Sequence, residues 1–194
     1  MPRRAPSGRR SARIAARARK IRFLVMDVDG VLTDGRMVLS ERGDELKLFD
    51  TRDGVAVALA RRAGFRTAIV TGETTTIAKV RGEKLGVDKV VLGARRKGEA
   101  IDGLLAEFGL AREAAVFVGD DLLDVPGLER VGLAVAVADA APEVKSVAHM
   151  ITRARGGAGA IREVVEFVLR AQGVWRATVS AYIRDHGGLP GRWR

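Results

Sequence analysis

Two aspartates, one residue apart, follow a short apolar run near the start of the chain. Asp27 and Asp29 come directly after the run FLVM and are followed by Gly30. Because alternate residues of a strand point to the same side, the two carboxylates are expected to crowd each other. A shared proton or a bound cation would relieve that crowding. A lone Asp-x-Asp is usually a turn or a helix cap, so the rest of the sequence has to supply what separates the two carboxylates.

Further candidates for a reactive site stand where later apolar runs end. They are Thr71 and Gly72, and Asp120 and Asp121, with the helix start at Lys97 just past a further run. Hydroxyl and ammonium groups are suitable hydrogen-bond donors to phosphoryl oxygens. Combined with the aspartate pair, they predict phosphoryl transfer through a carboxylate, in which one aspartate forms an acyl phosphate and another moves the proton.

The pattern from Ile21 onward alternates short strands with helices. Buried, strand-like runs end in the polar residues named above, and segments with helical spacing separate them. This alternation predicts an α/β chain, a three-layer sandwich around a mainly parallel, Rossmann-like sheet. Ligands of such sheets bind beyond the carboxyl ends of the strands, where these residues are expected to meet. Two alternating runs around ERGDE predict a β-hairpin over residues 36–49.

Four segments together resemble the motifs of a known enzyme superfamily. In order, DVDGVLTDG, VTG, Lys97 and GDDLLD are similar to the four motifs of the haloacid dehalogenase (HAD) phosphohydrolases, and the resemblance covers residues 22–173. It implies a phosphomonoesterase that depends on Mg²⁺ and works through a phosphoaspartyl intermediate. Only the short hairpin lies between Asp29 and TRDG, and the interval from Thr71 to Lys97 has room for just one helix and one strand, so we expect no cap domain.

The resemblance also implies a role for each motif residue. Asp27 is expected to be the nucleophile and Asp29 the general acid/base. The expected phosphate-binding residues are Thr71, Gly72 and Lys97. The expected metal ligands are the carboxylate of Asp27, the backbone carbonyl of Asp29 and the carboxylate of Asp120. Supporting roles are expected for Asp121 and for Asp124, which would only orient its neighbours.

Two further segments resemble one capless branch of the superfamily. FDTRDG and RGGAGAIREVVEFVLRAQG are similar to the tetrameric phosphatases of 3-deoxy-2-ulosonic sugar acids. These include enzymes for 3-deoxy-D-manno-octulosonate 8-phosphate (Kdo 8-phosphate) and for nine-carbon 9-phosphates of the 2-keto-3-deoxy-nononate or N-acylneuraminate type. The resemblance implies a homotetramer and a phosphorylated sugar acid as substrate. The implied substrate-binding residues are Arg52, Asp53, Arg155, Gly156 and Gly157, the last three serving an adjacent subunit.

The residues after Thr71 bear on the length of the sugar. The Kdo 8-phosphate type usually has Gly-Arg after the threonine or serine of the second motif, whereas this chain has Gly72 and Glu73. Glu73 and Lys84 look closer to the nine-carbon type and join the expected substrate-binding residues. We therefore favour the nine-carbon substrate modestly and keep Kdo 8-phosphate open. Arg96 also departs from the pattern, because relatives usually carry an acid just before the catalytic lysine.

The basic charge of the chain is concentrated in a leader. Residues 1–20 hold eight basic residues and no acidic one, so they account for most of the net charge of +10. We expect a disordered leader (1–20), a HAD domain (21–173) and a C-terminal helix or tail (174–194) that could lie at a subunit interface. No apolar run is long enough to span a membrane, and the absence of cysteine fits a cytoplasmic protein.

Three alternatives compete with a sugar-acid phosphatase. One is a non-catalytic tetramerisation module, like the C-terminal domains of some sugar-activating synthetases, but such a module has no need of Asp29, Lys97 and Asp120. Another is a nucleic-acid phosphatase that binds through its leader; the nearly neutral body and few aromatic residues disfavour it. A phospho-accepting receiver domain would carry its acceptor on a middle strand, whereas Asp27 closes the first.

Overall fold

Short segments of two to five residues, most of them rich in apolar residues, form the strands of the protein. The computed structural model describes residues 8–189. The strands are β1 (Phe23–Met26), β2 (Val38–Leu39), β3 (Glu45–Leu46), β4 (Arg66–Val70), β5 (Lys89–Val91), β6 (Ala115–Gly119), β7 (Leu133–Ala136) and β8 (Met150–Ile151). β1, β6 and β7 are buried along their whole length, as expected of parallel strands covered by helices on both faces.

Helices follow most of the strands. They are α1 (Gly8–Ala18), α2 (Thr51–Arg62), α3 (Thr76–Leu85), α4 (Lys97–Phe108), α5 (Val125–Leu128), α6 (Pro142–Val147), α7 (Ala160–Ala171) and α8 (Trp175–Asp185). Local capping defines several of their ends. The side chain of Asp50 accepts a hydrogen bond from the backbone N–H of Arg52 at the start of α2, and Gly86 ends α3 in the left-handed conformation.

Six strands form one parallel sheet with β1 near its centre. The strand order is β5-β4-β1-β6-β7-β8, and Met26 of β1 lies opposite Ile69 of β4 and Val118 of β6. The helices α1, α2, α7 and α8 form one contacting layer, and α4, α5 and α6 form another. The predicted three-layer α/β sandwich is therefore confirmed. Its strand order brings the carboxyl ends of β4, β1 and β6 side by side.

The predicted hairpin is confirmed and stands in the place of a cap domain. β2 and β3 pair antiparallel, with Val38 opposite Leu46, between β1 and α2. Only two residues of each strand form the ladder, so the paired part is shorter than the predicted range of 36–49. Several apolar side chains of the hairpin are exposed, namely those of Met37, Val38, Leu39, Leu46 and Leu48.

The leader differs from its prediction. Residues 8–18 form α1 rather than a disordered segment, and residues 1–7 lie outside the described part of the chain. Ala18 is fully buried, and Arg17 donates a hydrogen bond of 2.6 Å to the backbone carbonyl of Gly132. The helix also packs against α7. The arginine-rich composition concealed this packing, because it needs only one small apolar edge on the helix.

The C-terminal helix packs on its own chain. Trp175 at the start of α8 is buried beneath the guanidinium groups of Arg162 and Arg170. Near the end of the helix, Asp185 forms an ion pair with Arg62 of α2. A role of this segment at a subunit interface remains a prediction, and residues 190–194 lie outside the described residues. Between residues 8 and 189, no helix has the length and apolar character that crossing a membrane requires.

Candidate active site

The nucleophile candidate, Asp27, follows the central strand β1. Its backbone N–H continues the ladder by donating to the carbonyl of Val118 on β6, and its side chain is almost fully buried. Carboxylate oxygens of Asp27, Asp120 and Asp124 all lie within 4.8 Å of one another. The pairing of the strands therefore brings residues that are far apart in the sequence together as one acidic cluster at the strand ends.

Lys97 supplies the positive charge inside this cluster. The residue begins α4, and its ammonium lies 2.8 Å from Asp27 Oδ1 and 2.6 Å from Asp124 Oδ1. Burial alone would lower the pKa of Lys97, but the charges of Asp27 and Asp124 raise it above its ordinary value. Lys97 is therefore held as a cation next to the nucleophile candidate, where it can also meet a phosphoryl oxygen.

Asp124 has a more central position than its predicted supporting role implied. One of its oxygens accepts from Lys97, and the other accepts from the backbone N–H groups of Asp120 (2.7 Å) and Asp121 (3.3 Å). Asp121 itself caps a short 3-10 helix by accepting from the N–H of Leu122. Asp124 thus connects the loop after β6 to Lys97. The GDDLLD spacing could have indicated this, since a capping box places the two acids in register.

A glycine allows Asp120 to approach the loop after β1. Gly30 has a φ of +82°, and a Cβ atom at this position would lie 2.0 Å from Asp120 Oδ2. Any side chain here would therefore collide with the acid that the sequence assigns to the metal. The need for glycine at this step follows from both the backbone conformation and the close approach.

The acidic cluster fits a divalent cation. Asp120 Oδ1 is buried and has no hydrogen-bond partner among residues 8–189. Burial, followed by the charge of Asp124, raises the pKa of Asp27 to about 7, while Lys97 opposes this shift. Burial and the neighbouring aspartates raise the pKa of Asp120 to about 8. A hard cation with oxygen ligands would satisfy the unpartnered oxygen and offset the repulsion that causes these shifts.

The phosphate-binding candidates share one cavity with the cluster. Its volume is about 500 Å³, and it is lined by Asp27, Asp29, Gly35, Thr71, Gly72, Glu73, Arg95, Lys97, Asp120, Asp121, Leu122, Leu123 and Asp124. Thr71 is buried at the end of β4, and its hydroxyl accepts from the backbone N–H of Glu73. The hydroxyl proton is thereby free to donate to a ligand oxygen in the cavity.

The sequence interpretation missed a residue of the hairpin that reaches the site. Lys47 donates a hydrogen bond of 2.5 Å to Asp29 Oδ1, and its side chain is completely buried. Burial alone would lower the pKa of Lys47, but the hydrogen bond to Asp29 and the neighbouring carboxylate of Glu45 raise it. The only available signal was the alternation of the second hairpin strand, which puts Glu45, Lys47 and Phe49 on one side.

Two residues predicted to face the substrate lie elsewhere. Arg52 pairs with Asp50 at 2.6 Å and lines a separate groove of about 460 Å³ along α7. Asp53 is fully buried, and its carboxylate accepts from the backbone N–H of Arg162 in the first turn of α7. Within this chain, Asp53 therefore caps a helix instead of facing the site, and the sequence could not indicate this because α7 follows a hundred residues later.

The remaining substrate-binding candidates divide in the same way. Glu73 lines the cavity, whereas Lys84 is exposed in the last turn of α3, away from the cavity. Arg155 pairs with Asp139. Gly156 and Gly157 pack against the loop after β1, where a Cβ on Gly156 would lie 1.7 Å from the carbonyl oxygen of Gly30. These glycines support the catalytic loop of their own chain.

Comparison with protein families supports a hydrolase. Residues 87–163 match the model of the haloacid dehalogenase-like hydrolases. The 3-deoxy-D-manno-octulosonate 8-phosphate phosphatase KdsC of Escherichia coli K12 is 43% identical over 163 residues, which cover 84% of this chain and 87% of that protein. KdsC of Yersinia pestis is 40% identical over 159 residues, covering 82% and 85% respectively.

Solved structures show the same architecture. A 3-deoxy-D-manno-octulosonate 8-phosphate phosphatase from Moraxella catarrhalis, in complex with magnesium, phosphate and a KDO molecule, superimposes with a TM-score of 0.84 at 31% identity. The match covers 87% of this chain and 97% of that one. The cobalt-bound phosphatase from Haemophilus influenzae gives a TM-score of 0.81 at 33% identity, with coverage of 86% and 97%.

The geometry and the relatives lead to one class of enzyme. An acidic cluster, a buried lysine and a threonine meet at the ends of β1, β4 and β6, and relatives with more than 40% identity are phosphatases. The chain belongs to the haloacid dehalogenase-like hydrolases and is a phosphoric monoester hydrolase related to the KdsC phosphatases.

Proposed function

We propose that the protein hydrolyses Kdo 8-phosphate to Kdo and inorganic phosphate with Mg²⁺ as cofactor. The observation that carries this proposal is the 43% identity to KdsC over most of both chains. The cavity that contains Asp27, Thr71, Lys97 and Asp120 agrees with it, because these groups suit a phosphate monoester and a hard cation.

The preference for a nine-carbon substrate receives no support from these comparisons. The similar curated proteins named above act, by their names, on the eight-carbon phosphate. Lys84, half of the Glu73 and Lys84 pair on which the preference rested, lies away from the cavity. The alternative of a non-catalytic tetramerisation module is likewise unsupported, because the named relatives are phosphatases.

In the proposed reaction, Asp27 and Asp29 divide the chemistry. A carboxylate oxygen of Asp27 attacks phosphorus, the bond between phosphorus and the sugar oxygen breaks, and Asp29 gives that oxygen a proton. Asp29 then takes a proton from water, whose oxygen attacks the phosphoaspartate and releases phosphate. Lys97 and Thr71 hold the phosphoryl oxygens in both steps. Bound Mg²⁺, held by Asp27, Asp120 and the carbonyl of Asp29, would neutralise charge on the phosphoryl group.

Arg95 is our candidate for binding the sugar-acid carboxylate in place of Arg52. It lines the cavity, is exposed and forms no ion pair with any of residues 8–189. Its neighbour Arg96 is instead paired with Glu99 on the surface of α4. A guanidinium without a protein partner can form two hydrogen bonds to a carboxylate at the far end of the substrate.

We also propose that the protein assembles as a homotetramer through its hairpin. The exposed fractions of Leu39, Leu46 and Leu48 are 65%, 64% and 76%. Apolar side chains grouped on such a small element favour burial against an identical element of another copy. Arg52 and Arg155 lie outside the cavity of their own chain and are paired with Asp50 and Asp139, but both guanidinium groups are exposed, so each can exchange its partner for a group of a neighbouring copy.

The substrate proposal is tested with the purified full-length chain. Phosphate release is measured from Kdo 8-phosphate and from nine-carbon 9-phosphates, with Mg²⁺ and after its removal by chelation. We expect kcat/KM to be at least about tenfold higher for Kdo 8-phosphate, with Mg²⁺-dependent turnover that Asp27→Asn abolishes. A higher kcat/KM for a nine-carbon substrate would overturn the choice of sugar. Full activity of Asp27→Asn would overturn the mechanism.

A further inference from the structure

The second strand of the hairpin directs one lysine toward the active site. Leu46 and Leu48 are exposed, whereas the intervening Lys47 has a completely buried side chain. A buried ammonium is costly unless it is paired and hydrogen-bonded. Its partners are Asp29 Oδ1 at 2.5 Å and Glu45 Oε1 at 3.1 Å. The hairpin therefore contacts the reaction centre through a charged group of the same chain.

The two oxygens of Asp29 have different surroundings. Oδ1 accepts from Lys47, whereas Oδ2 is buried and has no hydrogen-bond partner in the described part of the chain. A buried carboxylate oxygen without a hydrogen-bond partner is unfavourable unless a ligand or a water supplies that hydrogen bond. Asp29 also lines the cavity that contains Asp27. Oδ2 is therefore the oxygen that can meet the leaving group or a water.

We propose that Lys47 is a positioning residue, which fixes the carboxylate of Asp29 by its Oδ1 so that Oδ2 carries the proton of the reaction. This inference rests on the proposed function, in which Asp29 is the general acid/base. Oδ2 gives its proton to the sugar oxygen as the bond to phosphorus breaks, and it later accepts a proton from the attacking water. Glu45 Oε1, 3.1 Å from the Lys47 ammonium, is a second anionic partner and limits the positions that the ammonium can occupy.

Substrates whose leaving groups differ in acidity distinguish a role of Lys47 in positioning Asp29 from a purely structural role in the hairpin. An alkyl phosphate, such as the sugar substrate, needs a proton on its leaving oxygen, whereas an aryl phosphate with an acidic phenol departs without one. The kcat/KM value reports the steps up to the first irreversible one, here departure of the leaving group. Loss of the correct position of Asp29 therefore lowers kcat/KM far more for the alkyl phosphate than for the aryl phosphate. A displaced hairpin would instead lower kcat/KM equally for the two substrates.

The main variant is Lys47→Met, which preserves length and removes the ammonium. We expect kcat/KM for Kdo 8-phosphate to fall about 100-fold, at the lower end of the effect of general acid catalysis, and that for 4-nitrophenyl phosphate to fall less than about fivefold. Lys47→Arg should recover part of the loss because it restores a charged donor. Arg42→Met, in the exposed turn of the same hairpin, is the matched control and should match the wild type.

The outcomes separate this inference from the proposed function. Equal losses for the two substrates in Lys47→Met, or no loss, would overturn the positioning role. A wild-type enzyme without activity on Kdo 8-phosphate, or a fully active Asp29→Asn, would instead overturn the proposed function. Folding is checked by circular dichroism, and Lys47→Gln provides the same comparison of substrates if Lys47→Met does not fold.

Discussion

Buried charges at the strand ends make Lys97 important for stability as well as for activity. Its ammonium touches two carboxylates of a cluster that also includes Asp120. The cluster therefore contains three acids and one base within a few ångströms, and removal of the base leaves the acids to repel one another. In the proposed function, the same groups bind the substrate and the cation, which would offset the cost of burying them.

Lys97→Met should destabilise the metal-free protein by about 3 kcal/mol near pH 8, because it leaves buried carboxylates without their counter-charge. The matched control is Lys89→Met. Lys89 also forms a close ion pair, with Glu107 at 2.6 Å, but both side chains are about half exposed, so the loss should stay below about 1 kcal/mol. Urea unfolding measures the free energy of unfolding of each variant and of the wild type. Equal losses in the two variants would contradict the role of the buried cluster.

Substitutions at Gly30 and Gly43 distinguish the effect of backbone strain from the effect of close approach to Asp120. Both have positive φ angles, +82° and +84°, but only a Cβ on Gly30 would meet Asp120, whereas Gly43 has open space. Gly30→Ala should reduce Mg²⁺-dependent turnover at least about 100-fold, because Asp120 must move, while Gly43→Ala should cost only about 1 kcal/mol of stability. Steady-state kinetics checks this. A Gly30→Ala enzyme as active as Gly43→Ala would contradict it.

Arg95→Ala should raise KM for the sugar-acid phosphate about tenfold, because it removes a charged hydrogen-bond donor to the carboxylate. KM for an alkyl phosphate without a carboxylate should change less than about twofold. Arg96→Ala, one residue away, is the control, since Arg96 is already paired with Glu99. Initial rates over a range of substrate concentrations give the six KM values, for the wild type and the two variants on each substrate. A similar increase for both substrates would mean that Arg95 contacts the phosphate.

At the scale of elements, the hairpin has two faces of different chemical character. Lys47 and Glu45 point inward to the active site, and the leucines on either side of Lys47 point outward. Strand alternation alone separates these sets, so one short element can complete a site and present an apolar surface. The hairpin thereby connects the proposed assembly of the protein to the geometry of Asp29.

Leu46→Glu combined with Leu48→Glu should weaken self-association at least about 100-fold, because two exposed apolar side chains would no longer be buried between copies. Light scattering over a range of protein concentrations measures the change in mass. Val80→Glu, at a similarly exposed position on α3, should leave the mass unchanged. If the double variant keeps the mass of the wild type, the hairpin is not the association surface.

At the scale of the whole molecule, the raised pKa values couple folding to pH and to the cation. The pKa values of Asp27 and Asp120 rise from 3.8 to about 7 and about 8 in the folded protein. Within that window the folded protein holds protons that the unfolded chain has released. The free energy of unfolding of the metal-free protein therefore falls as pH rises, by up to about 1.4 kcal/mol per pH unit for each proton.

Mg²⁺ should raise the melting temperature more at about pH 8 than at about pH 6, because protons compete with the cation for the same carboxylates. Thermal unfolding with MgCl₂, compared with NaCl of equal ionic strength, measures the difference. Asp120→Asn should remove most of the Mg²⁺ effect and flatten the pH dependence of the metal-free protein. A larger Mg²⁺ effect at the lower pH would contradict this prediction.

Much of the architecture could be predicted because it depends on local pattern. Short apolar runs separated by helical spacing predicted the parallel sandwich, and Asp27, Thr71, Lys97 and Asp120 could be selected because each stands where a strand ends or a helix begins. The rule that ligands bind at carboxyl ends of parallel strands then brought them together. The helix in the leader was missed because its packing against α7 depends on a narrow apolar edge that leaves little trace in an arginine-rich composition.

The sequence by itself determined the reactive groups and the fold class, because residue chemistry and the spacing of apolar residues are local properties. Only the tertiary structure decided which groups meet. It buried Asp53 beneath α7, set Lys84 away from the cavity and brought Lys47 to Asp29. These outcomes depend on contacts between segments distant in sequence, and their energies come from burial and pairing that no single segment contains.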